Sequence, residues 1–240
     1  ATRALDFNMI APAALDPADY PVTDSTDSDW FSWPAVVGER NLIGYKSICV
    51  PGAIDGLATA LAELGTMRWE DALAPAIAAA EAGLRVDWYA AMCIAIDAAG
   101  LARFPASEEI FLRDGQAPPA PDGRRSFLLP MTAKAEMLRQ LAREGPRAFY
   151  EGAPARAMAA DLADGGSRID QSDLGNYHCR WMDPLTGRYR GNELHVMPGL
   201  SGGPSLLNAL ERLESAWTPA GEEPDEATVL AYARALRDAY

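Results

Sequence analysis

Apolar residues recur at three- and four-residue spacing along most of the chain, and that period predicts helices. Between Pro51 and Gly65, the residues Ile54, Leu57, Ala58, Leu61 and Leu64 form one apolar stripe that stops at a glycine. Trp69 to Ala82 repeats the stripe and ends at Gly83. It carries Pro75, which lacks a backbone N–H and should kink the helix or delay its start. A third helix is expected over about 87–99, and further ones at about 131–143, 146–163, 205–216 and 226–240. Gly152 and Pro154 should interrupt the 146–163 helix, and Gly165-Gly166 should close it.

The period shortens to two in a few places. Arg3 to Asn8 reads as a short strand, and 183–197 as a β-hairpin whose tight turn is Arg190-Gly191-Asn192. Ile110-Phe111-Leu112 reads as one more short strand or hairpin, beside the turn residues Arg113-Asp114-Gly115 and Pro118 to Gly123. Asp16 to Pro34, rich in Asp, Ser, Thr and Pro, is expected to be an exposed loop without regular structure whose Trp30, Phe31 and Trp33 dock onto the core. The pattern predicts a mainly helical α+β chain, 1–240 forming a single region, with no internal repeat. The first strand starts without a lead-in and the last helix stops without a cap, so the chain reads as a piece of something longer.

With 240 residues, 49% of them apolar, the chain can bury a sizeable core. Its net charge of −13 repels phosphate backbones and anionic headgroups, so neither nucleic acid nor membrane is an expected partner. The most apolar stretch, Trp88 to Ala102, contains Asp97 and is too short to span a bilayer. A soluble protein, cytoplasmic or periplasmic, is expected. Cys49, Cys93 and Cys179 are odd in number and far apart, which argues for reduced, mostly buried thiols and against a disulfide framework or a zinc site.

Gly199-Leu200-Ser201-Gly202-Gly203 stands between a strand and a helix, the setting of a nucleophile elbow. That family order requires a histidine after the serine, yet His178 and His195 both precede Ser201. The glycines then read as backbone devices, allowing unusual dihedrals and close approach, with Ser201 or Ser205 capping the helix that follows. His178 and His195 have no second ligand at metal spacing, so no metal is expected and both read as structural or surface residues. Glu108-Glu109, Glu222-Glu223 and the Asp161/Asp164 pair read as solvated faces.

An ordered series of short motifs carries a resemblance. Val50-Pro51-Gly52-Ala53 is followed by Leu73-Ala74-Pro75-Ala76-Ile77, then by Phe149-Tyr150-Glu151-Gly152, Gly165-Gly166 and Asp173-Leu174-Gly175-Asn176-Tyr177. Tyr189-Arg190-Gly191, Met197-Pro198 and Ser201-Gly202-Gly203 complete it. In this the chain resembles the large subunit of the gamma-glutamyltranspeptidase family. The resemblance implies the helical lobe of an N-terminal-nucleophile hydrolase with an αββα core, acting on a small-molecule amide without metal or organic cofactor. It also implies a partner, the small subunit of the same precursor, whose N-terminal threonine is nucleophile and base together. No catalytic residue is then expected in this chain, and Ser201, Gly202 and Gly203 are a structural loop. Family members carry an arginine after Asp-Phe that pairs with the α-carboxylate of the gamma-glutamyl group. Here Asp6-Phe7 is followed by Asn8, the expected substrate-binding position, which lacks that charge. Arg3 is an unsuitable substitute, being five positions away on a strand and so on its opposite face. A related acylase with a non-glutamyl substrate, and a helical binding or assembly module acting alone, are the other readings.

Overall fold

The computed structural model describes residues 2–26, 32–120, 127–218 and 224–240. In chain order the elements are β1 (Ala4–Asp6), β2 (Val22–Thr26), β3 (Pro34–Val36), α1 (Ala53–Leu64), α2 (Trp69–Ala82) and β4 (Leu84–Val86). Then come α3 (Trp88–Ile96), α4 (Ala98–Leu101), α5 (Pro105–Phe111), β5 (Phe127–Leu129), α6 (Thr132–Glu144) and α7 (Ala148–Glu151). The chain closes with α8 (Ala153–Asp164), α9 (Gln171–Gly175), β6 (Arg180–Met182), β7 (Leu185–Tyr189), β8 (Asn192–Val196), α10 (Gly202–Ala216) and α11 (Glu226–Ala239). Among the described residues the strands form antiparallel pairs, β1 with β6, β2 with β3, β4 with β5 and β7 with β8. The fold is the expected mainly helical α+β type, and among the described residues no helix is long and apolar enough to cross a membrane.

The chain divides into two compact units, one of residues 8–178 and one of 1–7 with 179–240. In the larger unit, α2 lies along α6, where Ala80, Ala135 and Leu138 let the two helices approach closely, and the Trp69 indole N–H donates to the Leu141 carbonyl at 2.9 Å. A second cluster gathers Val86, Ala91, Ile94, Leu112 and Leu129 around the β4–β5 pair. The third packs Val50, Tyr150, Ala155, Leu162, Ile169, Leu174 and Tyr177 together. Fully burying one such side chain stabilises the fold by roughly 1.5–3 kcal/mol. In the smaller unit the β7–β8 hairpin lies on α10, so closely that a Cβ on Gly187 would stand 2.7 Å from Leu207. α11 packs beside α10.

Several expectations change on contact with the fold. Ile110 and Phe111 belong to α5 and not to a strand, because Pro105 at its first turn opens a helix that the Arg113–Gln116 turn then closes. The 16–34 segment is not an unstructured loop: it holds a 3₁₀ turn at Pro17–Asp19, begun by the Asp16 side chain, and the β2–β3 pair. Trp33 is 59% exposed and so is not docked onto the core. Trp30 and Phe31 lie outside the described residues, as do Glu222, Glu223 and residues 121–123 of the Pro118–Gly123 turn. Pro75 sits inside an α2 that already begins at Trp69, so it does not delay the start. The third helix breaks at Asp97 into α3 and α4. The three cysteines form no disulfide and are each half-buried, less covered than thiols usually are.

Candidate functional site

Asn8 follows the end of β1 by two residues, in a segment with no regular structure that is tied down by side chains far away in sequence. The Tyr177 hydroxyl donates to the Asn8 carbonyl at 2.8 Å. Two residues on, Ile10 and Val50 exchange backbone hydrogen bonds of 3.2 and 2.8 Å, and the Ala13 N–H donates to the Asp173 carboxylate at 2.9 Å. Val50 is wholly buried, so this segment is fastened to the floor of the third cluster while Asn8 itself remains exposed.

Beneath it lies a knot of aromatic and charged groups. The Tyr177 ring stacks on Tyr150 with centroids 5.6 Å apart and planes 11° from parallel. The Tyr150 hydroxyl donates to the Pro51 carbonyl at 3.0 Å and accepts the Asp55 N–H at 3.1 Å, in the first turn of α1, where N–H groups lack an intrahelical acceptor. Arg147 donates through Nη1 to the Tyr177 carbonyl at 2.9 Å and to Asp55 at 3.2 Å, through Nη2 to the Gly175 carbonyl at 2.9 Å, and through Nε to Glu151 at 3.0 Å. Its guanidinium carbon lies 4.9 Å from the Tyr150 ring centroid. Burial works against the Arg147 charge, but the Glu151 and Asp55 carboxylates outweigh it, so its pKa stands above the ordinary value.

Around Ser201 the structure shows a capped helix start. Ser201 precedes α10 in extended backbone; its Oγ accepts the Gly203 N–H at 3.1 Å and donates to the Met197 carbonyl at 2.6 Å. Gly199 has φ 71°, a left-handed conformation that favours glycine. Gly203 is needed for space: a Cβ there would stand 2.1 Å from the Met197 carbonyl oxygen and 2.9 Å from Val196. Gly202 has nothing within 4 Å of such a Cβ, so the close-approach reading does not extend to it. Gly191, with Arg190, turns the hairpin at positive φ (79° and 49°). His195 pairs through Nε2 with Glu193 at 2.8 Å and lies 3.4 Å from the Thr186 hydroxyl, while His178 is exposed. Among the described residues no three His, Cys, Asp or Glu side chains are placed to hold a metal ion.

Arg3 and Asp6 are committed to the β1–β6 pair. The Arg3 guanidinium lies 4.1 Å from the Trp181 ring centroid, and Asp6 accepts from Arg180 at 3.1 Å. A cavity of about 600 Å³ that the sequence did not announce opens in the larger unit, lined by Ile43, Tyr45, Ile48, Leu101, Phe104 and Asp161 among others. Among its polar groups is the Tyr45 hydroxyl, 3.3 Å from the Asp161 carboxylate, whose charge holds the phenol above its ordinary pKa. Tyr150 and Tyr177 were visible as motif residues, but no local signal marked Arg147, whose partners lie 28 to 92 residues away apart from Glu151.

The mainly helical α+β fold is that of the N-terminal-nucleophile hydrolases of the gamma-glutamyltranspeptidase type. Helicobacter pylori gamma-glutamyltranspeptidase superposes on it with a TM-score of 0.83 at 27% identity, over 99% of this chain and 65% of that one. Cephalosporin acylase from Bacillus halodurans shares the fold, with a TM-score of 0.77 at 22% identity over 99% of this chain and 42% of that one. The Gamma-glutamyltranspeptidase family profile matches residues 1–240, and the chain belongs to that family. The Acylase ACY 1 proenzyme of Pseudomonas sp. (strain V22) is 39% identical over 176 residues, 73% of this chain and 31% of that protein. The Glutathione hydrolase proenzyme of Escherichia coli (strain K12) is 28% identical over 218 residues, 89% of this chain and 35% of that protein. The chain thus spans about a third of the length of the curated relatives it matches.

Proposed function

We propose that this chain is the helical large-subunit portion of an enzyme that hydrolyses or transfers an acyl group from a small-molecule amide, and that residues 1–240 work as one region of a longer precursor. The observation that carries this reading is the family match along the whole chain, joined to relatives that are proenzymes of which it covers about a third. The nucleophile is then supplied outside these residues, by the small subunit that self-cleavage would release. It takes the acyl group from the amide nitrogen, the amine leaves with a proton, and water or an acceptor amine removes the acyl group. Ser201 supports this by its geometry, since its hydroxyl is engaged by Met197 and Gly203 in a cap.

Asn8 is the position that contacts the acyl group, and its lack of charge favours an acyl group without the α-carboxylate of glutamate. The 39% identity to an acylase, against 28% to the Escherichia coli glutathione hydrolase, supports the same direction. A charged hydrogen-bonded pair shielded from water contributes about 1.5–3 kcal/mol, roughly a tenfold to hundredfold in affinity. In the full-length enzyme, Asn8→Arg should therefore lower KM for glutathione by about that factor and leave a butyryl anilide unchanged. Intact mass of the purified precursor should show two pieces. A single uncleaved chain with full amidase activity refutes the reading, and a micromolar KM for glutathione in the parent refutes the role of Asn8.

A further inference from the structure

Past the end of β1, the segment carrying Asn8 is placed by the Ile10–Val50 bridge and by tethers from residues distant in sequence. One of these is the Tyr177 hydroxyl on its carbonyl, 2.8 Å away and 169 residues distant in sequence. Tyr177 lies two residues past α9, where its N–H donates to the Leu174 carbonyl at 3.1 Å. It is held further by its stack on Tyr150 and by Arg147, whose Nη1 and Nη2 donate to the carbonyls of Tyr177 and Gly175, each at 2.9 Å. The same guanidinium is braced by Asp55 on α1 and Glu151 on α7, two elements of the core.

We propose that Arg147, acting through Tyr177, is the positioning residue for Asn8: it fixes where that side chain is presented to the acyl group and so shares in setting substrate affinity. The inference rests on the reading of Asn8 as an acyl contact. Arginine suits the task because its planar fork of donors can serve two carbonyls and two carboxylates at once. Lysine offers three donors around one point and cannot reach the same four acceptors. Core packing alone would be served as well by phenylalanine at 177, since the stack on Tyr150 needs only the ring. The hydroxyl at the Asn8 carbonyl is what ties packing to the site.

The experiment uses the full-length enzyme with gamma-glutamyl anilide and butyryl anilide as probes, comparing Tyr177→Phe, Arg147→Lys, Asn8→Ala and the double variant Asn8→Ala/Tyr177→Phe. Tyr177→Phe and Arg147→Lys should each raise KM for gamma-glutamyl anilide about three- to tenfold, the range one lost neutral hydrogen bond covers, with kcat within about twofold. Adding Tyr177→Phe to Asn8→Ala should cause no further rise, because the side chain being placed is gone. An equal rise in both backgrounds overturns the inference and leaves Tyr177 a core residue. A KM that moves with Asn8→Ala but not with Tyr177→Phe or Arg147→Lys overturns the inference alone. A KM indifferent to Asn8→Ala overturns it together with the reading of Asn8. Should Tyr177→Phe not fold, Arg147→Lys carries the same expectation and the same refutation.

Discussion

Replacing Gly203 by alanine tests the geometry of the Ser201 loop with one methyl group. The new Cβ would stand 2.1 Å from the Met197 carbonyl oxygen and 2.9 Å from Val196, against about 3.5 Å for ordinary contact, so the backbone of α10 or of residues 196–197 has to move. That carbonyl is also the acceptor of the Ser201 hydroxyl, and Ser201 in turn accepts the Gly203 N–H, so the movement strains both bonds of the cap. Overpacking costs about 1–3 kcal/mol and loss of a cap about 1 kcal/mol, which together put Gly203→Ala roughly 2–4 kcal/mol below the parent. The neighbouring Gly202→Ala is the control. It meets nothing within 4 Å, and alanine suits a helix better than glycine, so it should be neutral or stabilising by up to about 0.5 kcal/mol. Urea unfolding followed by circular dichroism reads both, with the midpoint of Gly203→Ala lowered and that of Gly202→Ala unmoved. Equal midpoints for the two variants would show that the chain yields at Gly203 without cost, and would refute the close-approach argument.

Two further predictions follow from the same structure. Ser201→Ala should cost about 1 kcal/mol in urea unfolding and leave turnover by the full-length enzyme within about twofold, because the hydroxyl is a cap; loss of turnover without loss of stability would restore the nucleophile reading. Asp19 accepts from Arg168 at 2.7 Å and pairs with Lys46 at 2.9 Å, and these partners lower its pKa to about 2. A depressed carboxylate stabilises the fold above its unfolded value and stops doing so as pH falls through the folded one. The stability gap between the parent and Asp19→Asn should thus be constant above about pH 4 and close between about pH 4 and 2. A gap that widens on acidification would be the wrong sign.

Much of the local structure could be read from the chain because its signals are local. Gly65 and Gly83 end α1 and α2, and the 183–197 hairpin turns at Arg190-Gly191. Each depends on dihedrals and hydrogen bonds within a few residues. The 110–112 reading failed because a short apolar run fits a strand and a helix alike, and the helix opened at Pro105 and its packing against the second cluster decide between them. The order of the motifs carried the family, and Asn8 was visible as a departure from it.

Which side of α1 faces inward was decided by tertiary structure alone. The apolar stripe of α1 predicts Leu57 and Leu64 inside, yet they are 56% and 68% exposed, while Asp55 is buried at 8% exposure. A period of 3.6 shows which residues share a face, but it cannot say whether a partner exists for that face or for a carboxylate on another. Asp55 is tolerated inside because Arg147, 92 residues on, meets its charge and the Tyr150 hydroxyl meets its N–H. The same guanidinium reaches the carbonyls at 175 and 177. Such a knot has no period and no spacing. It exists where three distant segments converge, and that convergence is set by burial of Val50, Tyr150, Leu174 and their neighbours around it.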